Sequence, residues 1–344
     1  MEIGIDNFVS DVTDPRTGVA YASAERMSQF LAEVVRADQA GVDTFGVGEH
    51  HRENYLDSAP AVILGAAAAL TERIRLQSAV TVLSADDPVR VFESFATLDL
   101  ISGGRAEMVL GRGSFTEAFP LFGLDLDDYD SLFDEKLTLL LQLRSETHPH
   151  WSGRHRAPLT GQGVFPRPVQ SPLPMWLGVG GTPASFVRAG LLGMPLMVAI
   201  IGGDPRRFRP LIDLYRRAGA EAGHALKTLK VGVHCIGFVG ETDREAADDF
   251  WPGHEQAFAS VGRERGFAPP TRRDYDASIT EHGPYFIGSP ETVARKIVEA
   301  SPALGGLSRF TVQMTNPIMA PESMLRSIEL LGTEVAPRVR AAMS

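Results

Sequence analysis

Short apolar runs alternate with longer amphipathic stretches along most of the chain. Residues 2–8 alternate apolar and polar positions as a strand does. Met27, Phe30, Leu31, Val34, Val35 and Ala37 then recur at helical spacing within residues 24–40, and Gly41 ends that helix. Residues 44–48 form a second short buried strand. Residues 74–83 are apolar, rich in β-branched side chains and too short for a helix, which predicts a strand buried on both faces and therefore a parallel sheet. Asp86-Asp87-Pro88 supplies a capping carboxylate and a first-turn proline whose missing N–H costs nothing. Val89, Phe92, Phe95, Ala96 and Leu100 hold helical spacing from there to the stop at Ser102-Gly103-Gly104, and residues 106–110 complete a βαβ unit.

The alternation continues with strands at 174–179, 196–201, 230–239 and 309–314. Helices cover 130–143, the stretch from Gly202-Gly203-Asp204-Pro205 to Ala222, and a run from Asp243 toward Val261. Two more follow Ser289-Pro290-Glu291 and Pro321. Eight strands alternating with helices, with no linker to divide them, predict one α/β domain over 1–344, a (β/α)8 TIM barrel with insertions. The insertions are a turn-rich hairpin segment near 145–171 and an irregular stretch near 262–288, the second placed to be a lid or binding loop. The helix at 61–70, AVILGAAAAL, follows Ser58-Ala59-Pro60 and has no polar face, so it needs cover on both sides. With the helix at 89–100 it predicts a homodimer interface; an interior position against an insertion is the alternative.

Composition narrows the classes. A length of 344 residues suits a single barrel, and a formal net charge of −10 argues against nucleic acid or anionic membranes as partners. Cys235 is the only cysteine, which excludes an intrachain disulfide framework and a thiolate metal cluster. No apolar run approaches the ~18 residues of a membrane span, and the amino terminus lacks a basic region followed by an apolar core; the expected location is the cytoplasm.

The strand ends hold the candidate chemistry, because barrel enzymes collect it at the C-terminal edge. Glu49-His50-His51 follows the second strand; a histidine there serves as a general base, a metal ligand or an ordinary loop residue. Gly111-Arg112-Gly113 follows the fourth, where a guanidinium between glycines binds a phosphate or pairs with a surface carboxylate. Gly180-Gly181 and Ser185 stand at a helix start, where accessible N–H groups, a helix dipole and a hydroxyl make an anion site. His148, His150 and His155 have no thiolate or clustered carboxylate beside them and are read as surface-loop residues, so no metal is expected.

Over nearly its whole length the chain resembles the bacterial luciferase-like family of FMN-dependent monooxygenases. GEHH at 48–51 is similar to the family's acid-His-His segment, SAVTVLSADDPVRVFE to its third strand and following helix, and ISGGRAEMVLGRGSF to its fourth strand. The resemblance implies reduced FMN (FMNH2) as cofactor, molecular oxygen and a small-molecule substrate as reactants, and possible supply of flavin by a separate reductase. It implies His50 as catalytic group, with Glu49 or His51 orienting it or acting in its place. It implies Arg112 as the phosphate ligand beside Gly111, and Ala79, Val80 and Thr81 against the flavin ring, with a cis peptide between Ala79 and Val80. Phosphate contacts also fall at Gly180 and Gly181, where the family has an acidic residue and a serine; here backbone amides and Ser185 take their place. Dimers through the helices named above are also implied. The site must be deep, apolar and closed by a mobile segment, since reduced flavin and oxygen require water to be excluded. Competing readings are a deazaflavin- or NAD(P)H-dependent oxidoreductase on the same fold and a non-catalytic flavin-binding relative. A metal-dependent hydrolase using His50, His51 and His234 is weaker, because Asp6-Asn7-Phe8 stands where paired histidines would be.

Overall fold

The computed structural model describes residues 1–113 and 115–343. Eight parallel strands form the barrel wall: β1 (Glu2–Asn7), β2 (Thr44–Val47), β3 (Arg75–Ser78), β4 (Ala106–Gly111), β5 (Met175–Val179), β6 (Leu196–Ile200), β7 (Val231–Val239) and β8 (Arg309–Gln313). Each pairs with the next, and β8 pairs back onto β1 with Glu2 opposite Arg309. Closure leaves no wall strand with an unpaired edge. Helices surround the wall, and the main apolar core lies between them and the outward strand faces, around Phe30, Phe45, Phe92, Phe186 and Phe250. Among the described residues no helix is long and apolar enough to cross a membrane.

The barrel interior departs from the purely apolar strands that the 74–83 pattern suggests. Arg309, 1% exposed, donates to Glu107 at 2.8 and 3.3 Å, to Glu2 at 2.8 Å and to Gln77 at 2.8 Å, and its guanidinium lies 4.4 Å from the Trp176 ring centre. These residues sit near the strand starts, so a charged network fills the N-terminal end of the barrel. Each ion there is compensated by the others, because an unpaired buried charge is strongly destabilising.

The predicted single strand over 74–83 is interrupted. β3 ends at Ser78, the Ala79–Val80 peptide is cis, and Thr81–Val82 pairs separately with β4. Val80 lies against the neighbouring backbones: a Cβ on Gly111 would come within 2.6 Å of Val80 Cγ2, and one on Gly178 within 3.1 Å of Cγ1. Glycine at both positions is what admits the valine.

Helix starts follow local chemistry closely. Asp87 accepts from the Val89 and Arg90 amides at 2.9 and 3.3 Å to open the Pro88–Ser102 helix, which Gly103 ends at φ 67°. Ser58 does not cap the Pro60–Leu70 helix; Ala59 holds the cap position without a side-chain bond. The hairpin expected within 145–171 is present as His150–Trp151 paired antiparallel with Leu159–Thr160. The stretch 262–288 is more ordered than its composition suggests. The preceding helix runs Asp243–Arg265, a Thr271–Asp274 capping box starts the Arg272–Ser278 helix, and Phe286–Gly288 pairs with β7. Pro269-Pro270 reads as a breaker, yet it stands just outside that cap.

Candidate active site

Gly48 turns the chain out of β2, and three side chains crowd its α-carbon: a Cβ there would meet Phe8 at 2.5 Å, His50 at 2.8 Å and Asp57 at 3.0 Å. His50 is thereby packed into the barrel mouth, stacked on Tyr55 with ring centres 4.2 Å apart, tilted against Phe8 at 4.8 Å and edge-on to Phe115 at 5.7 Å. Its Nδ1 lies 3.1 Å from both carboxylate oxygens of Asp57, a fully buried residue that also accepts the Val9 N–H at 3.2 Å.

The acid-His-His segment does not act as one cluster. Glu49 accepts the Val82 N–H at 2.9 Å through one oxygen and faces His51 Nε2 at 3.3 Å through the other. That carboxylate hydrogen bond raises the His51 pKa above the ordinary histidine value, against the opposing effect of burial. Both residues line a cavity of about 300 Å3 between the starts of the Pro60–Leu70 and Pro88–Ser102 helices, together with Thr81, Ser94 and Asp86. Burial pushes the Asp86 carboxyl above its usual range. The expectation that Glu49 or His51 orients His50 is thus corrected: their polar atoms face each other and the Val82 amide, and Asp57 is the group on His50.

A second histidine–carboxylate pair lies across the Phe8 ring. His234, from β7, is 2.6 Å from Asp6 through Nδ1, and Asp6 accepts Gln77 Nε2 at 3.0 Å. Phe8 stacks on His234 at 6.2 Å. A Cβ on Gly46 would collide with Asp6 at 2.0 Å and with Ala79 at 2.9 Å, which puts this pair directly beneath Ala79. His50, His51 and His234 are therefore paired with three different carboxylates rather than converging on one point.

On the opposite side of the mouth, Arg112 leaves β4, pairs with Asp130, lies over the Tyr129 ring at 5.0 Å and donates to the Ser185 hydroxyl at 3.3 Å. Ser185 is buried in the first turn of the Pro183–Leu191 helix, whose cap residue Thr182 makes no side-chain cap bond. Gly180 and Gly181 face open space, with nothing within 4 Å of a Cβ built on either. A guanidinium, a hydroxyl and an uncapped helix start together form a donor-rich cradle suited to an anion.

A clasp crosses the mouth beside His50. Arg52 donates to Glu117 at 2.6 Å and pairs through both terminal nitrogens with Glu264, while Phe115 lies between the guanidiniums of Arg52 at 4.2 Å and Arg265 at 5.2 Å. It ties the loops after β2 and β4 to the end of the Asp243–Arg265 helix. Sequence reasoning missed Asp57, Asp6 and Arg52, and no periodicity or local motif could have revealed partners joined only when the barrel closes.

Comparison with known proteins identifies the family and the fold. The luciferase-like monooxygenase family matches residues 8–306. The chain belongs to that family. Among its relatives, 4-hydroxyprotoasukamycin monooxygenase of Streptomyces nodosus subsp. asukaensis is 27% identical over 323 residues, covering 89% of this chain and 85% of that protein. The same architecture recurs in the FMN complex of the oxygenating constituent of 3,6-diketocamphane monooxygenase from Pseudomonas putida, a type II Baeyer-Villiger monooxygenase. There the TM-score is 0.79 at 20% identity, over 98% of both chains. It recurs also in the coenzyme F420-dependent tetrahydromethanopterin reductase of Methanopyrus kandleri, with TM-score 0.74 at 20% identity over 98% of this chain and 99% of that one. The same barrel thus occurs in an FMN complex of one protein and in an F420-dependent reductase.

Proposed function

We propose that this protein binds reduced FMN at the C-terminal mouth of its barrel and uses it with molecular oxygen to oxygenate a small organic substrate. The observation that supports it most directly is the convergence of Arg112, Ser185 and the uncapped start of the Pro183–Leu191 helix, three contributors to one anion cradle. A terminal phosphate fits that donor set and would replace Asp130 as the partner of Arg112. Gly180 and Gly181 let a ligand approach the backbone there, Gly111 makes room for Val80 beside it, and the Ala79-Val80-Thr81 turn offers a compact face to a planar ring. When bound, reduced FMN supplies the electrons that activate oxygen. The chain itself grips the phosphate, screens the ring from water with Phe8, Tyr55 and Phe115, and takes and returns a proton at His50.

The chain acts as a single barrel unit in the cytoplasm, takes reduced flavin from a separate reductase, and associates as a homodimer through the Pro60–Leu70 and Pro88–Ser102 helices. The outer faces of those helices expose Val62, Leu70, Leu100 and Ile101. The second reading, hydride transfer from a deazaflavin, is favoured by the F420-dependent reductase that shares the fold. Anaerobic titration with reduced FMN and with reduced deazaflavin, followed by admission of oxygen, separates the two. Tight binding of reduced FMN and oxygen-dependent product support the first; preference for the deazaflavin and indifference to oxygen overturn it. His50→Ala should still bind FMN yet lose ~10²-fold in product, with hydrogen peroxide released instead.

A further inference from the structure

We propose that Asp57 is the positioning residue for His50: its buried carboxylate accepts a hydrogen bond from Nδ1–H, fixes the ring against Tyr55 and leaves Nε2 as the nitrogen that exchanges protons at the site. The proposal rests on the reading of His50 as the proton-transfer group. Its geometric basis is a carboxylate at 0% exposure with both oxygens 3.1 Å from one imidazole nitrogen. Among the described residues the one other donor on that carboxylate is the Val9 amide at 3.2 Å, from the segment that follows β1. A carboxylate buried this completely is costly unless hydrogen-bonded, so its partners are what keep it there.

The groups around the pair leave Asp57 as the carboxylate in contact with the ring. Tyr55 covers one face of the imidazole, Phe8 and Phe115 close two other sides, and His234 with Asp6 lies beyond Phe8. Arg52, Arg265, Glu117 and Glu264 sit behind Phe115 and Tyr55, one ring removed. Glu49, next in sequence, is held by Val82 and His51. A histidine whose Nδ1 faces a carboxylate has a defined tautomer and ring orientation.

The test uses full-length protein with 15N-labelled histidine, free of flavin, followed by nuclear magnetic resonance. In the wild type, neutral His50 should carry its proton on Nδ1. In Asp57→Asn the amide oxygen still serves Val9, the amide NH2 turns toward His50, and the neutral ring is driven to the Nε2–H form. With reduced FMN supplied, the variant should bind flavin normally and lose ~10²-fold in kcat, while Asp57→Glu restores part of the activity. A wild-type His50 that carries its proton on Nε2, or an unchanged tautomer in Asp57→Asn, overturns the proposal. If Asp57→Asn does not fold, the wild-type tautomer decides alone. Full coupled turnover in His50→Ala would instead bring down the proton-transfer reading, while the tautomer still judges Asp57.

Discussion

Arg112 holds an exposed carboxylate and a buried hydroxyl at once, and a ligand phosphate would compete for both. Binding of that kind is equal in ground and transition states, so Arg112→Ala should raise the FMN dissociation constant and lose discrimination against riboflavin, with saturated turnover nearly kept. Fluorescence titration with the two flavins checks it; unchanged FMN affinity would move the phosphate site elsewhere. His51 gives a prediction about pH. Its pKa is raised in the folded protein by the Glu49 hydrogen bond, so its stabilising contribution is complete below the ordinary value of 6.5 and is lost as pH rises through the higher folded value. His51→Ala should therefore destabilise more at about pH 6 than at about pH 8.5, read as the difference in urea midpoints between wild type and variant. Arg112 and Ser185 were legible in the sequence because strand ends and helix starts mark themselves with glycine. Asp6 and His234 are 228 residues apart and Arg52 and Glu264 are 212, separations at which no local pattern speaks. Even Asp57, only seven residues from His50, sits in a loop whose path back to the ring depends on Phe8 and Val9 from the first strand's end.

Among the elements, the strands were legible because short β-branched runs and capped helices alternate without a gap, and seven of the eight lie where the pattern puts them. The exception, 74–83, breaks at Ala79–Val80, a position the apolar pattern cannot distinguish from continuous strand. Segment 262–288 shows another limit: its anchor lies outside it. Lys296, buried on the Pro290–Ala303 helix, donates to the carbonyls of Ile279, Thr280 and Tyr285 at 3.2, 2.6 and 2.5 Å, and burial pushes its pKa down to about 8. Hydrogen bonds from a charged donor are each worth ~1.5–3 kcal/mol, so Lys296→Met, which strands three carbonyls, should cost about that much or more. Amide exchange should quicken at 279–285 before the rest of the barrel; uniform protection there would show that the lysine is dispensable.

At the scale of the whole molecule, the barrel is held from within by charge and from without by apolar packing, and one flank remains apolar at its surface. Val62 is 73% exposed and Leu70 54%, on a helix whose other face packs into the core through Ile63, Leu64 and Ala67. Large exposed apolar side chains of that kind suit association with a second copy. Light scattering at micromolar concentration should give twice the chain mass, and Val62→Glu should shift it toward a single chain; a monomeric wild type removes the dimer.

Val80 occupies the volume that side chains at 111 and 178 would need, so positions on three neighbouring segments share one steric decision. Gly111→Ala should be poorly tolerated while Val80 is present and far better tolerated once Val80→Ala has removed the methyl groups, with a coupling of ~1–2 kcal/mol in a double-mutant cycle. Additive effects would show that the backbones can part to make room. For this chain the same constraint gives substitutions an order in time: a side chain at 111 is accepted far more readily once position 80 has shrunk, and with both changed, a return of valine at 80 is disfavoured until the glycine comes back.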